Sequence, residues 1–304
     1  MKTIRIRNSS LNATRLAYGC WRIAEAGTDG RAAVLAAYEA GYTLFDGADI
    51  YGGGKAEEVF GRVVREVSGM RERILVTSKC GVRPAGTPDA DSPGRYDFSP
   101  QHIVNSCEQS LKRLGVETID LYLLHRPDFL ADPHAIAGAF MQLLDAGKVR
   151  YFGVSNFRPS LVSAQQAACP LPLVVNQVEI SLAKLDAFTD GTLDQCLERH
   201  LTPMAWSPLG AGLLGDGAKR LLPAQRAYRT DGVVKVLDEV ARSRGVSRPV
   251  IAFAWLLKHP SGIMPIVGST DPQRIRDATR AAEFALTREE WYRLLLAARG
   301  EALP

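Results

Sequence analysis

Eight short runs, each four to six residues long and dense in aliphatic, β-branched or aromatic side chains, punctuate the chain at 16–19, 43–46, 74–79, 119–124, 151–154, 173–177, 203–206 and 263–267. An apolar run without alternation belongs to a strand covered on both faces, as in a parallel sheet. Between the runs, 31–40, 56–67, 103–114, 133–146, 160–168 and 193–199 carry an apolar stripe at helical spacing with polar residues opposite. Helix punctuation agrees. Ser99-Pro100 and Asp132-Pro133 each place a capping side chain ahead of an early proline, and Gly41, Gly115 and Gly147 stand where helices close. Two further helices, 232–244 and 249–258, precede the last strand, and one, 271–282, follows it.

Strict alternation of strand and helix predicts a parallel α/β fold. Eight units in 304 residues suit a closed (β/α)8 TIM barrel in a single domain better than an open doubly wound sheet. The first strand runs into Gly19-Cys20-Trp21-Arg22, so the GxGxxG fingerprint of a dinucleotide-binding open sheet is missing. Residues 4–7 and the Asn8-Ser9-Ser10 turn read as a β-hairpin closing the barrel floor. Residues 87–98 and 209–230 read as long loops, which in a compact barrel usually carry function.

Composition narrows the class. With 46% hydrophobic and 23% charged residues the chain is globular, not disordered. Its longest apolar run, 250–257, is far short of the roughly 20 residues a membrane helix needs, and the N-terminus has no secretory apolar core. The net charge of +4 comes from scattered basic residues, so no nucleic-acid partner is expected. Five cysteines without a close pair read as reduced thiols of a cytoplasmic protein, a monomer or small homo-oligomer. No His-x-His spacing suggests a metal; a metal-dependent hydrolase using Asp46, Asp49 and His125 is a minor alternative.

In a barrel, chemistry collects at the C-terminal strand ends. Here those ends present Trp21; Asp46 with Tyr51 just beyond; Lys79; His125; Ser155-Asn156; Gln177; Trp206; and Gly268-Ser269-Thr270. Such a ring of polar, aromatic and glycine-rich groups predicts an active site at the mouth.

The same residues lie in stretches that resemble the aldo-keto reductases. Phe45-Asp46-Gly47-Ala48-Asp49-Ile50-Tyr51-Gly52 is similar to that family's Asp-Tyr signature. Ser78-Lys79, Leu124-His125-Arg126-Pro127-Asp128, Gly153-Val154-Ser155-Asn156-Phe157, Asn176-Gln177-Val178-Glu179 and Trp206-Ser207-Pro208-Leu209-Gly210-Ala211-Gly212 follow its later motifs in order. Within the family the chain looks closest to a bacterial subgroup of NADPH-dependent reductases. The resemblance implies NADP(H) stretched across the barrel mouth and reduction of a small aldehyde or ketone.

On that reading Tyr51 is the general acid. A free phenol titrates near 10, and the Lys79 ammonium is expected to lower that value. Asp46 is expected to hold Lys79 charged, and His125 to hydrogen-bond the carbonyl oxygen or relay a proton to Tyr51. Taken singly, these residues have blander readings: a loop tyrosine, a structural ion pair, a strand cap. Four of them at consecutive strand ends favour chemistry. For Asp49, a cap or loop hydrogen bond is as good a reading as catalysis.

For the cofactor, the resemblance implies that Ser155, Asn156 and Gln177 fix the nicotinamide carboxamide. Asn156 also reads as a cap for the helix near Pro159. Trp206 stands where most members have a stacking tyrosine. Gly210, Gly212, Gly215 and Gly217 are expected to fold over the pyrophosphate, with backbone contacts from Ser207 and Leu209. Gly268, Ser269 and Thr270 precede a helix N-terminus suited to phosphate. Arg274 resembles the arginine on the adenosine 2′-phosphate, with Asp277 nearby; Gly268 and Ala278 stand where well-known members have lysine and asparagine. Trp21 is expected to line the substrate pocket; Ile50, Arg126 and Phe129 neighbour catalytic positions in the sequence. Arg126 either favours an anionic substrate or pairs with Asp128. Six residues follow Ala298, so an open, permissive site is expected. The alternative is a slow, nucleotide-binding redox sensor or regulatory subunit of the same family.

Overall fold

The computed structural model describes residues 1–217, 219 and 221–302. Eight parallel strands close into a barrel in chain order: β1 (Ala17–Gly19), β2 (Leu44–Asp46), β3 (Leu75–Cys80), β4 (Ile119–Leu124), β5 (Val149–Ser155), β6 (Leu173–Glu179), β7 (Thr202–Trp206) and β8 (Met264–Val267), with β8 pairing back onto β1. Every strand starts and ends within two residues of the run that predicts it.

The sequence pattern is legible because both faces of each strand are dry. Inward-pointing Ala17, Leu44, Leu121, Leu123, Val174, Met204 and Met264 form one buried cluster, joined from below by Ile6, Leu11 and Ala13. Those last three belong to the predicted hairpin, in which Thr3–Arg5 pairs antiparallel with Asn12–Thr14. It is tied to the strand starts by Thr14 N–H donating to Thr43 Oγ1 (2.8 Å) and Arg7 N–H donating to Thr202 Oγ1 (3.0 Å). The floor is thereby sealed, and the barrel opens where the strands end.

The helices are α1 (Gly30–Glu39), α2 (Lys55–Glu66), α3 (Pro100–Leu114), α4 (Pro133–Asp145), α5 (Pro159–Ala168), α6 (Thr192–Glu198), α7 (Asp231–Arg244), α8 (Arg248–Leu257), α9 (Pro272–Ala278) and α10 (Arg288–Arg299). Ser99 and Asp132 accept from the N–H groups of His102 and His134, as their positions predict. Two elements differ from expectation. The segment 271–282 breaks into α9 and a 3-10 turn, Thr279–Ala282. The last helix, α10, was not anticipated, although Thr287 and Glu290 form a capping box at its start. Its tie to the barrel is a tryptophan pair: Trp291 and Trp255 stack with centroids 5.0 Å apart, and each indole N–H donates to the other's carbonyl, at 3.1 and 3.0 Å.

Of the two long loops, the first carries a two-stranded ribbon, Val82–Arg83 with Arg95–Tyr96. The second contains 3-10 turns at Gly210–Gly212 and Pro223–Ala227, the latter burying Gln225. Among the described residues no helix is long and apolar enough to cross a membrane, and all five cysteines are free and buried.

Candidate active site at the barrel mouth

Lys79, at the end of β3, is wholly buried, so each of its ammonium hydrogens needs a partner. All three find one: Asp46 Oδ2 at 2.8 Å, the Gly47 carbonyl at 2.8 Å and the Tyr51 hydroxyl at 3.1 Å. A lysine has three donors only when charged, so this geometry calls for an ammonium. Burial alone would pull its pKa down; the Asp46 carboxylate and Tyr51 outweigh that and hold it above the ordinary value.

Because the Tyr51 oxygen accepts from Lys79, the phenolic hydrogen is left to point elsewhere. Tyr51 sits in a turn followed by Gly52, Gly53 and Gly54, all with left-handed φ (59°, 65° and 92°). At Gly54 a Cβ would come within 2.8 Å of Arg113 Cδ, so the turn that presents Tyr51 also requires the missing side chain. Contrary to expectation, the phenol's pKa is raised, not lowered. Burial is the largest cause, and the Lys79 charge that would lower it is largely answered by Asp46. The group is therefore held in its protonated form.

His125 follows β4 with its ring edge-on to Tyr51, centroids 5.7 Å apart. Burial, Lys79 and Arg126 hold its pKa well below the ordinary imidazole value, and its Nδ1 is buried without a hydrogen-bond partner. A neutral imidazole can donate one hydrogen bond; it does not carry a spare proton near neutral pH. The relay role loses its basis, and the hydrogen-bonding role keeps it.

A chain of contacts continues around the rim. Gln177 Nε2 donates to Asp46 Oδ1 (2.9 Å), joining β6 to β2 across the mouth. Ser155 Oγ donates to the Gln177 carbonyl (2.9 Å) and accepts from Asn156 Nδ2 (2.9 Å). Asn156 also donates to the His125 carbonyl (3.2 Å), and its Oδ1 accepts from Trp206 Nε1 (2.9 Å). The helix-cap reading of Asn156 is thus overturned: both ends of its amide are engaged elsewhere, and α5 begins after Arg158 without a side-chain cap. Asn156 and Ser207, each just past its strand, have left-handed φ of 60° and 47°. Non-glycine residues in that region cost about 1–3 kcal/mol and collect at functional sites; nothing in the sequence marks them.

The outer cofactor residues fare unevenly. The α9 N-terminus is occupied: Asp271 Oδ1 accepts from Gln273 N–H (2.7 Å) and Arg274 N–H (3.2 Å), and Ser269 Oγ accepts from Asp271 N–H (3.1 Å). Two of the backbone N–H groups expected to face a phosphate are therefore used by Asp271. Asp277 is turned inward, accepting from Ser247 Oγ and lying 3.4 Å from Arg280. One oxygen thus ties α9 to the start of α8, and the other faces the turn that follows α9. The Gly268 carbonyl accepts from Arg22 (2.8 Å), while Thr270 stays half-buried at the rim. Arg274 is exposed, 3.4 Å from Asp216, and lies against Gly217, where a Cβ would meet its Nη1 at 2.5 Å. In the same loop the Leu209 carbonyl accepts from Gly212 and Leu214 N–H groups, so that segment holds a defined turn. Trp21 remains on the rim at 42% exposure, with the Arg22 guanidinium 5.7 Å from its ring.

Glu57 went unread in the sequence, and the protonation of Asp49 is not legible there. Behind Lys79, buried Glu57 accepts from Ser78 Oγ (2.5 Å) and Arg113 Nε (2.7 Å), anchoring the start of α2. Next to it lies Asp49, one of whose oxygens is buried without a partner. Burial and Glu57 push its carboxyl up to about 7 against the opposing pull of Arg113. The folded protein therefore keeps this proton at pH values where the unfolded chain has lost it, and stability contributed here declines as pH climbs from about 4 to 7. Three units at about 1.4 kcal/mol each set a ceiling near 4 kcal/mol, roughly halved by relaxation. Asp49→Asn is expected to raise Tm by about 4 °C at pH 8 and by little at pH 5, measured by calorimetry; equal shifts at both pH values would reject a buried neutral carboxyl.

A cleft of about 600 Å³ opens on the opposite face, between Arg71, Asp120, Arg150 and Tyr151. Both arginines are paired with buried Asp120.

The family model for the aldo/keto reductase family matches residues 15–295. The chain belongs to the aldo/keto reductase family. It is 40% identical to a 6-dehydroglucose reductase of Novosphingobium aromaticivorans, covering 99% of this chain and 96% of that one. A 6-dehydroglucose reductase of Agrobacterium fabrum is 39% identical, with 97% of each chain covered. Among solved structures, an aldo/keto reductase from Klebsiella pneumoniae in complex with NADP and acetate superposes with a TM-score of 0.79, at 27% identity over 96% of this chain and 94% of that one. At the mouth of this barrel the Lys79 ammonium meets the Asp46 carboxylate and the Tyr51 phenol, and the His125 imidazole lies edge-on to that phenol, at the end where this fold performs chemistry.

Proposed function

We propose that this reductase converts a small aldehyde or ketone to an alcohol with NADPH, Tyr51 acting as the general acid. The observation that carries the reading is the complete use of the Lys79 hydrogens, one of them on the Tyr51 oxygen, which frees the phenolic hydrogen for a substrate. NADPH, when bound, supplies the hydride for the carbonyl carbon. Tyr51 gives its proton to the carbonyl oxygen and is left as a phenolate, which the Lys79 ammonium stabilises until solvent reprotonates it. Neutral His125 hydrogen-bonds the same oxygen and aligns it with the phenol. Gln177 keeps Asp46 facing Lys79, and so fixes the ammonium.

The residues present fit a dinucleotide. Trp206 offers a flat face at the rim, with its indole N–H already anchored on Asn156, and Ser155, Asn156 and Gln177 present amides and a hydroxyl beside it. Gly217 leaves the space that admits Arg274. Two relatives named 6-dehydroglucose reductase, and a structural neighbour in complex with NADP, support a carbonyl substrate and this cofactor. NADPH consumption against a panel of aldehydes and ketones tests the reading; a protein that consumes NADPH with none of them is not a carbonyl reductase.

Arg274 is assigned to the 2′-phosphate. Its pairing with exposed Asp216 is weak enough to yield to a phosphate. Arg274→Ala is expected to weaken NADPH binding by about 10–100-fold and NADH binding by less than about threefold, by fluorescence titration. Equal losses would reject the assignment.

A further inference from the structure

Arg126 differs from the other half-buried arginines. Arg113 is used on Glu57, Arg248 on Asp238, and Arg71 on Asp120 and the Ile74 and Thr118 carbonyls. Among the described residues Arg126 makes neither an ion pair nor a hydrogen bond; its guanidinium carbon rests 5.4 Å from the Trp206 ring centroid. Asp128, the partner expected from sequence, gives its oxygens to the N–H groups of Phe98 (2.8 Å) and Leu130 (3.0 Å). Lying over an indole leaves the edge of the guanidinium, with its five N–H donors, open.

That open edge belongs to the residue directly after His125. Its charge reaches the phenol of Tyr51, where it opposes the rise caused by burial, and the imidazole of His125, where it adds to the fall caused by burial. It also reaches Glu179, whose carboxylate is held separately by Gln225 Nε2 (2.6 Å). A flat fork of donors recognises a pair of oxygen acceptors, and a hydrocarbon placed against it would leave those donors unsatisfied.

Resting on the carbonyl-reduction reading above, we propose that Arg126 determines specificity: it binds an oxygen substituent near the reacting carbonyl, so the substrates are aldehydes or ketones carrying a hydroxyl or carboxylate close to that carbonyl. Both sources present the same acceptor chemistry. Glyceraldehyde, glyoxylate and propanal separate them.

In the wild type, kcat/KM for glyceraldehyde, glyoxylate or both exceeds that for propanal by about tenfold or more, and in Arg126→Leu this ratio falls to within about twofold. The ratio cancels any effect of Arg126 on the acid, since all three substrates use Tyr51. Loss confined to glyoxylate, with partial rescue by Arg126→Lys, identifies a carboxylate; loss on glyceraldehyde without rescue identifies hydroxyls. A ratio unchanged in Arg126→Leu, or a wild type that favours propanal, overturns the proposal. If the wild type reduces nothing, the carbonyl reading itself has failed. Tryptophan fluorescence titrations with glyoxylate and glyceraldehyde then still decide the role of Arg126, because a Kd unmoved by Arg126→Leu also overturns it.

Discussion

Tyr51→Phe is expected to lower kcat by about 10²–10⁴-fold, the usual contribution of a positioned general acid, while NADPH affinity stays within about twofold. The substitution removes only the hydroxyl that accepts from Lys79 at 3.1 Å; the ring against His125 is retained. Losing one hydrogen bond from a buried ammonium costs about 1–3 kcal/mol, so a modest fall in Tm accompanies the loss of rate. Stopped-flow measurement of the first turnover separates chemistry from product release. A loss below about tenfold in that single turnover would mean that the carbonyl oxygen draws its proton from another donor.

Lys79→Met is expected to be damaging in two separable ways. It strands the Asp46 carboxylate, 3% exposed, without its counter-charge. Removing one partner of a buried pair typically costs about 3–5 kcal/mol, here a Tm lower by about 6–10 °C. It also removes the ammonium that stabilises the phenolate, so activity falls along with stability. The double variant Lys79→Met with Asp46→Asn has no stranded charge. It should recover most of the lost Tm and none of the lost rate, since replacing both members of a buried pair is often close to neutral for folding. A double variant as unstable as Lys79→Met alone would show that the pair's contribution is not electrostatic. A double variant that regained activity would show that the ammonium is dispensable.

Both predictions depend on atoms whose meeting the sequence announces only in part. The ring of groups at the strand ends is legible because barrel strands are short, apolar and evenly spaced, so their ends can be counted off. Residue spacing says nothing, however, about which donor reaches which acceptor. Gln177 illustrates this: its motif suggests a carboxamide ligand, yet its Nε2 lies on Asp46, 131 residues away in the chain. Arg126 and Asp128, two apart, look like a natural pair and are not one, because the loop turns the Asp128 carboxylate toward two backbone N–H groups. At the α9 N-terminus, too, the partners are not legible in advance: Asp271 takes the N–H groups of Gln273 and Arg274.

Electrostatics was the least legible. A lysine beside a tyrosine suggests a lowered phenol pKa, but burial of the hydroxyl and neutralisation by Asp46 reverse the sign. Asp49 is noticed in the sequence as a cap or catalytic candidate, but its raised pKa is not legible there, since its environment comes from α2, α3 and the adjoining strand.

The chain's own order of residues determined the barrel, the hairpin plug and the identity of the mouth residues, because unbroken apolar runs and helix punctuation are local properties that a few neighbouring positions specify. Tertiary structure alone decided the hydrogen-bond chain from Tyr51 through Lys79, Asp46 and Gln177, the protonation states along it, and the unpaired edge of Arg126. Those depend on distances between strand ends far apart in the chain, and on how much water closure of the barrel leaves around each charge.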